Sequence, residues 1–249
     1  LFHEFHKTRE VSRAGLRLIT DNLNLKISNR ARLDLKYSEI RWHYSQHFLS
    51  ESYGEEVLED IMSIAVNAKQ RNLLNSQLCD ERDHAKLFKT EVDRIGFDSR
   101  ADLYAKGYSE LVRRQESFSE KVFVFQILTE AISAAYCQWR ICSIQDARLN
   151  KLDKAVESDE IKHLVMGGAL LDLCDPDELN NRLSNKRQKS LIHEMNSLCR
   201  KAIRQSMFEC LVDMNQVDNP NSIGITSLDR YIVKSVIQEY KKINKRVLK

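Results

Sequence analysis

Two short stretches decide the reading: Asp80-Glu81-Arg82-Asp83-His84 and Asp159-Glu160-Ile161-Lys162-His163. Each follows a lone glutamate at the same remove, Glu51 for the first and Glu130 for the second, with 28 residues between glutamate and aspartate. Every member of the second set stands 79 positions after its counterpart. The residues ahead of the glutamates also match in kind, Phe48-Leu49-Ser50 before Glu51 and Ile127-Leu128-Thr129 before Glu130. Residues three apart share one face of a helix, so Glu81 with His84, and Glu160 with His163, can address one cation. The intervening span lets the chain leave a plane along one helix and return to it, at the same depth, along the next. Each copy therefore reads as an antiparallel helix pair, the first helix giving one Glu and the second Glu-x-x-His.

Two such hairpins converge four carboxylates and two imidazoles at the centre of a four-helix bundle, a ligand set for a pair of metal ions. Glu51, Glu81, His84, Glu130, Glu160 and His163 are the candidate ligands and catalytic residues. Hard oxygen donors with one nitrogen per metal suit iron or manganese, and the lack of thiolate argues against tetrahedral zinc. Asp80 and Asp159 are placed to accept the outer N–H of a ligand imidazole and fix its tautomer. The competing reading, surface ion pairs with helical Glu–His contacts, fits poorly with Glu130. That residue sits in the most apolar helix of the chain, where a lone charge is costly.

Working outward, apolar residues recur at helical spacing from Ala31 to about Asn67. A second helix runs through Leu73 and Leu78 to Ile95, with Gly96 at its C-cap. A surface stretch containing Gly107 is expected next. A strongly apolar helix follows from about Ser119 to Leu149, then one from Leu152 to Leu173, stopped by Asp175 and Pro176. Two further helices are expected at Asn181–Asn215 and Ser227–Val247, separated by Asn219, Pro220 and Gly224. The stretch up to about Asn29 reads as one or two amphipathic helices. The fold class is all-α: one domain over residues 1–249, with a metal-binding bundle at about 31–175 and extra helices at 1–30 and 177–249.

The composition agrees. Only 7 Gly and 2 Pro occur in 249 residues, which favours long helices joined by short turns. Hydrophobic residues at 42% can fill a sizeable core. A net charge of +3 without a basic, aromatic-interleaved arm speaks against nucleic acid. The six cysteines form no CxxC pair, which suits a reducing cytoplasm over a disulfide framework or structural zinc. No signal peptide or membrane-spanning apolar run is apparent.

At Glu51, Asp80 to His84, Glu130 and Asp159 to His163 the chain resembles the ferritin-like di-iron carboxylate superfamily. The likeness covers about Tyr44 to Gly168. Gln70-Arg71-Asn72 to His84 is similar to bacterial multicomponent monooxygenases. Glu130 to Gly167, with Ala134-Ala135-Tyr136 and His163-Leu164, is similar to aldehyde-deformylating oxygenases, and the doubled pattern to aminobenzoate N-oxygenases. The resemblance implies a ferritin-like four-helix bundle with bridging Glu81 and Glu160, terminal Glu51 and Glu130, two Fe ions (or Mn), and dioxygen as co-substrate. Each relative is also departed from. Phe88 stands where ribonucleotide reductase small subunits carry a radical Tyr. Ala134 stands in place of a monooxygenase Thr, with Ser133 beside it. Val156 takes the place of the extra His of aminobenzoate N-oxygenases, and the CxxC domain of rubrerythrins is missing.

The implied function is a non-haem di-iron oxygenase or oxidase that hydroxylates, desaturates, N-oxygenates or cleaves a small-molecule or carrier-bound substrate. It implies an external electron donor, a reductase or ferredoxin, and the extra helices suit a substrate cap or a homodimer interface. The alternative is ferritin- or bacterioferritin-like iron oxidation and storage. A metal-free helical interaction module leaves the repeat unexplained. Apolar groups from Val122 to Tyr136 read first as plain core at helical spacing, with an apolar pocket beside Glu130 as the alternative. Gly54, Gly167 and Gly168 either open a path to the ligands or permit close helix contact. His43 and His47, on the Glu51 face, read as satisfied polar contacts, with a ligand or proton-donor role as the alternative.

Overall fold

The computed structural model describes residues 29–213 apart from residue 145; the expected helices before Asn29 and at Ser227–Val247 lie outside the described residues. All regular elements among the described residues are helical. Helix α1 spans Asn29–Ser63 and α2 spans Ala68–Ile95. Asn67 starts α2 through a capping box, its side chain accepting from the Gln70 N–H while the Gln70 side chain returns to the Asn67 backbone. Gly96, at φ 97°, ends it in a conformation that suits glycine. A 3₁₀ turn at Ser99–Ala101 leads into α3, Asp102–Arg113. Helix α4, Phe118–Val122, runs into a π-helical stretch, Phe123–Thr129, and then into α5, Glu130–Ser143. Helices α6 (Ala147–Asp172), α7 (Pro176–Arg182) and α8 (Asn185–Asp213) complete the described chain.

Two apolar clusters flank one polar layer. On α1, Tyr44 belongs to one cluster, while Val57, Leu58 and Ile61, beyond Glu51, belong to the other. On α2 the order reverses: Leu74 and Leu78 precede Glu81 in the second cluster, while Phe88, Val92 and Ile95 follow it in the first. The π stretch and α5 run as α2 does, from Phe123–Leu128 to Cys137 and Ile144; α6 runs as α1 does, from Leu149 and Val156 to Leu170 and Leu171. Four helices thus cross the same plane, and the two hairpins run in opposite senses. Because α2 and the π–α5 helix are parallel, their connection must travel back along the helices, and α3 provides the return.

That return corrects the sequence expectation. The segment around Gly107 is a buried helix, with Tyr104, Ala105, Tyr108, Leu111 and Val112 in the core. Gly107 does not interrupt it: a Cβ there would come within 2.4 Å of Leu198 Cδ1 on α8, so the glycine serves close packing. Two boundaries also differ. The apolar helix ends at Ser143, because Asp146 caps the start of α6 by accepting from the Arg148 and Leu149 N–H groups. The helix expected at Asn181–Asn215 is preceded by a separate turn of helix, α7, which Asp175 caps and Pro176 begins. No helix among the described residues is long and apolar enough to cross a membrane.

Candidate metal centre

Glu51 comes from α1, Glu81 and His84 from α2, Glu130 from the first position of α5, and Glu160 and His163 from α6. All six are buried. They divide into two overlapping sets that could each hold an ion: Glu51, Glu81 and His84, and Glu81, Glu130, Glu160 and His163. His84 Nδ1 lies 3.5 Å from Glu51 Oε2 and 3.9 Å from Glu160 Oε1. His163 Nδ1 lies 3.4 Å from Glu81 Oε1, 3.6 Å from Glu130 Oε2 and 3.5 Å from Glu160 Oε2. Glu51 Oε2, Glu160 Oε2 and both Nδ1 atoms are buried and make no hydrogen bond. Buried polar atoms are nearly always satisfied, so four such orphans facing one another make this a candidate place for cations. The donor set fits: four hard carboxylates, and an imidazole nitrogen turned inward from each side.

The outer nitrogens are held crosswise. His84 Nε2 lies 3.3 Å from Asp159 Oδ2, and His163 Nε2 lies 3.3 Å from Asp80 Oδ2. Each aspartate therefore supports the imidazole of the other hairpin, tying α2 to α6. Sequence reasoning found both aspartates but not the exchange between halves.

Gln77 and Arg140 had escaped it, whereas His47 makes the polar contact expected of it. Gln77 donates to Glu81 Oε1 at 2.9 Å and to Glu130 Oε1 at 2.8 Å, and its carbonyl accepts from the Gln126 amide. Ser133 donates to Glu160 Oε1 at 3.0 Å. His47 Nε2 is 2.8 Å from Glu51 Oε1, and behind it Arg140 contacts His47 Nδ1 at 2.6 Å. The available signal was the repeat itself, since Gln126 occupies the position equivalent to His47, four residues before its glutamate. His43 sits edge-on to the Trp42 and Tyr136 rings instead.

The π-helical stretch ends directly before Glu130, with Thr129 Oγ1 donating to the Val124 carbonyl at 3.1 Å. Inserted π turns re-aim the side chains that follow them, and they recur at functional sites. The glycines divide between the two expectations. A Cβ on Gly167 would meet Gln126 Cβ at 2.6 Å and Ile127 Cδ1 at 2.9 Å, so close helix contact explains it. Gly54 lies against the Glu81 carboxylate, and Gly168 faces open space.

The electrostatics are those of a crowded acidic pocket. Burial, then the neighbouring carboxylates, pushes Glu81 and Glu130 well above the usual carboxylate range. Burial also opposes ionisation of Glu51 and Glu160, but the polar groups beside them, His47 and His84 for the first and Glu130 and His163 for the second, hold these two below that range. Burial would lower both imidazoles, yet Glu51 raises His84 and Glu160 raises His163 to about 9. Raised carboxylates beside raised imidazoles make this a cluster that shares protons.

Beside the carboxylates is a small cavity of about 30 Å³ lined by Tyr104, Tyr108, Phe125, Ile132 and Tyr136, with Gln46, Ser50 and Thr129 among its polar edges. Glu51, Glu81, Glu130 and Glu160 border it directly. Tyr108 donates to the Ser50 carbonyl, anchoring α3 over the site. The apolar stripe from Val122 to Tyr136 is chiefly core, and it leaves only this small apolar space beside Glu130, to which α3 supplies two rings. Compared with protein families, curated proteins and solved structures, the chain matches none.

Proposed function

We propose that the chain is a ferritin-like four-helix di-iron carboxylate protein that activates dioxygen to oxidise a small organic or acyl substrate. The observation that carries this reading is the convergence of six buried donors from four helices, with four orphaned atoms facing inward. Glu51, Glu81, Glu130 and Glu160 would hold the two ions through carboxylate oxygens, with one nitrogen each from His84 and His163. When bound, two ferrous ions supply the electrons for dioxygen chemistry, and an external reductase or ferredoxin would restore them. The protein's own part is positional. Asp159 and Asp80 hold the imidazoles with Nδ1 inward, Gln77 and Ser133 orient the Glu81 and Glu160 carboxylates, and the aromatic wall shields the carboxylates from water.

The aromatic and aliphatic lining beside the carboxylates supports an organic substrate over iron storage, which has no need of apolar groups there. Protein produced with iron should carry about two ions per chain, and Glu81→Ala or His163→Ala should lose them while remaining helical by circular dichroism. Reduced protein should then consume dioxygen. A chain that binds no divalent metal sinks the reading. A loaded protein that assembles into a many-subunit shell and mineralises iron would move it to storage.

A further inference from the structure

The repeat gives both halves the same ligands, but the residues behind them differ. Shifted by 79 positions, Tyr44, His47, Ile61 and Leu74 correspond to Phe123, Gln126, Arg140 and Asp153. A buried polar chain runs through Tyr44, Asp153, Arg140 and His47. Tyr44 donates to Asp153 Oδ2 at 2.6 Å, Arg140 Nε donates to Asp153 Oδ1 at 2.9 Å, and Arg140 Nη2 reaches His47 Nδ1 at 2.6 Å. The His47 ring is held flat against Phe88, with centroids 4.2 Å apart. At the corresponding place behind Glu130 stand Phe123, Leu74, Ile61 and the amide of Gln126.

A guanidinium has donors only, so His47 Nδ1 must accept and the ring proton must sit on Nε2. That nitrogen faces Glu51 Oε1 at 2.8 Å and Ser133 Oγ at 2.9 Å. His47 is therefore a donor to a ligand and not a third nitrogen ligand, although it lies close enough to Glu51 and Glu160 to form a metal-sized group. With Arg140 behind it, the Nε2–H is a stronger donor than the Gln77 amide that serves Glu130. A second asymmetry has the same sense. Asp159, behind His84, is shared with Lys162, whereas the position equivalent to Lys162 is the acidic Asp83.

We infer that the two metal positions are unequal, with the Glu130–His163 position filling first and His47, set by Arg140, weakening the Glu51–His84 position. This rests on the two-metal reading above. A carboxylate already engaged by a strong donor has less charge to give a cation, and an imidazole whose supporting carboxylate is shared is a poorer base. His47 acts through Glu51 and is a positioning residue.

The test is an anaerobic Co(II) titration of the full chain, read by visible absorption and by competition with a chelator. Two steps separated by about 10–100-fold in affinity are expected, the range over which outer-shell partners act. Glu130→Gln should remove the tight step and Glu51→Gln the weak one. His47→Gln should tighten the weak step and leave the tight one in place. Should that variant fold poorly with Arg140 left unanswered, Tyr44→Phe, His47→Gln, Arg140→Ile and Asp153→Leu together copy the other half and strand no buried charge. Two ions bound in one indistinguishable step, loss of the tight step in Glu51→Gln, or a separation unmoved in the folded variants would overturn the inference while leaving the metal reading intact. A chain that binds no Co(II) overturns both.

Discussion

His84 and His163 each present Nδ1 to carboxylates and Nε2 to an aspartate, so without metal each ring gains by holding a second proton. Their folded pKa of about 9 lies above the ordinary 6.5. The resulting stabilisation is complete below pH 6.5 and disappears as pH rises through 9. Glu81 and Glu130, displaced upward, act in the same sense: each favours the fold while protonated and less so once ionised. Chelator-treated protein should therefore show a urea midpoint that falls from about pH 6.5 to 9. Metal-loaded protein should not, because cations then occupy the place of the protons, and its metal affinity should rise over the same interval. A flat or rising midpoint in the metal-free protein would contradict the charge arrangement. At this scale the candidate ligands were legible because a period of 79 repeats residue types that have few other reasons to recur together. The polar chain behind His47 was not, since Arg140 and Asp153 look like ordinary helical charges until both are seen to be fully enclosed. Removing Arg140 alone, as Arg140→Met, should cost about 3–5 kcal/mol in equilibrium unfolding by stranding Asp153. Arg140→Ile with Asp153→Leu should recover most of that loss.

Helix α6 carries adjacent glycines whose surroundings differ, which gives a test of what holds the elements together. Gly167 faces the π stretch, where a Cβ would meet Gln126 Cβ at 2.6 Å and the Gln126 carbonyl carbon at 3.3 Å. Neither neighbour is the loose end of a long side chain, so Gly167→Ala must push α6 from the π stretch, costing about 1–3 kcal/mol. Because Gln126 also steadies Gln77, the same variant should weaken metal binding at Glu130. Gly168→Ala meets nothing within 4 Å and should stabilise the helix by about 0.5–1 kcal/mol through the lower entropy of its unfolded chain. Thermal melts of the pair should move in opposite directions; movement in the same direction would show that α6 does not press on the π stretch. Helix ends were legible where a breaker announces them, as Gly96 and Pro176 do. They were misread where a glycine had a packing reason, as Gly107 has beneath Leu198. The π stretch leaves no mark in residue type, because Phe123 to Thr129 carries apolar residues that suit either helix.

At the scale of the molecule, a layer of four carboxylates and two imidazoles interrupts what would otherwise be one continuous apolar core. Charges brought together out of water oppose folding unless a counter-charge accompanies them, so the fold bears a standing cost for the site. The repeat implied such a layer, but not the return helix α3 that roofs it, since that segment has no counterpart in the ligand pattern. Two consequences should appear in one experiment. Glu130→Gln removes a carboxylate whose ionisation burial and Glu160 both oppose, and its amide can keep a hydrogen bond with Gln77. The metal-free variant should therefore be at least as stable as the metal-free parent, by urea unfolding near pH 7. Adding Co(II) should reverse the order. Each occupied site contributes about 2.7 kcal/mol at a free metal concentration one hundred times its Kd, so the parent gains from two sites and the variant from one. A parent that stays the less stable protein at saturating metal would mean that these carboxylates are not assembled for cations.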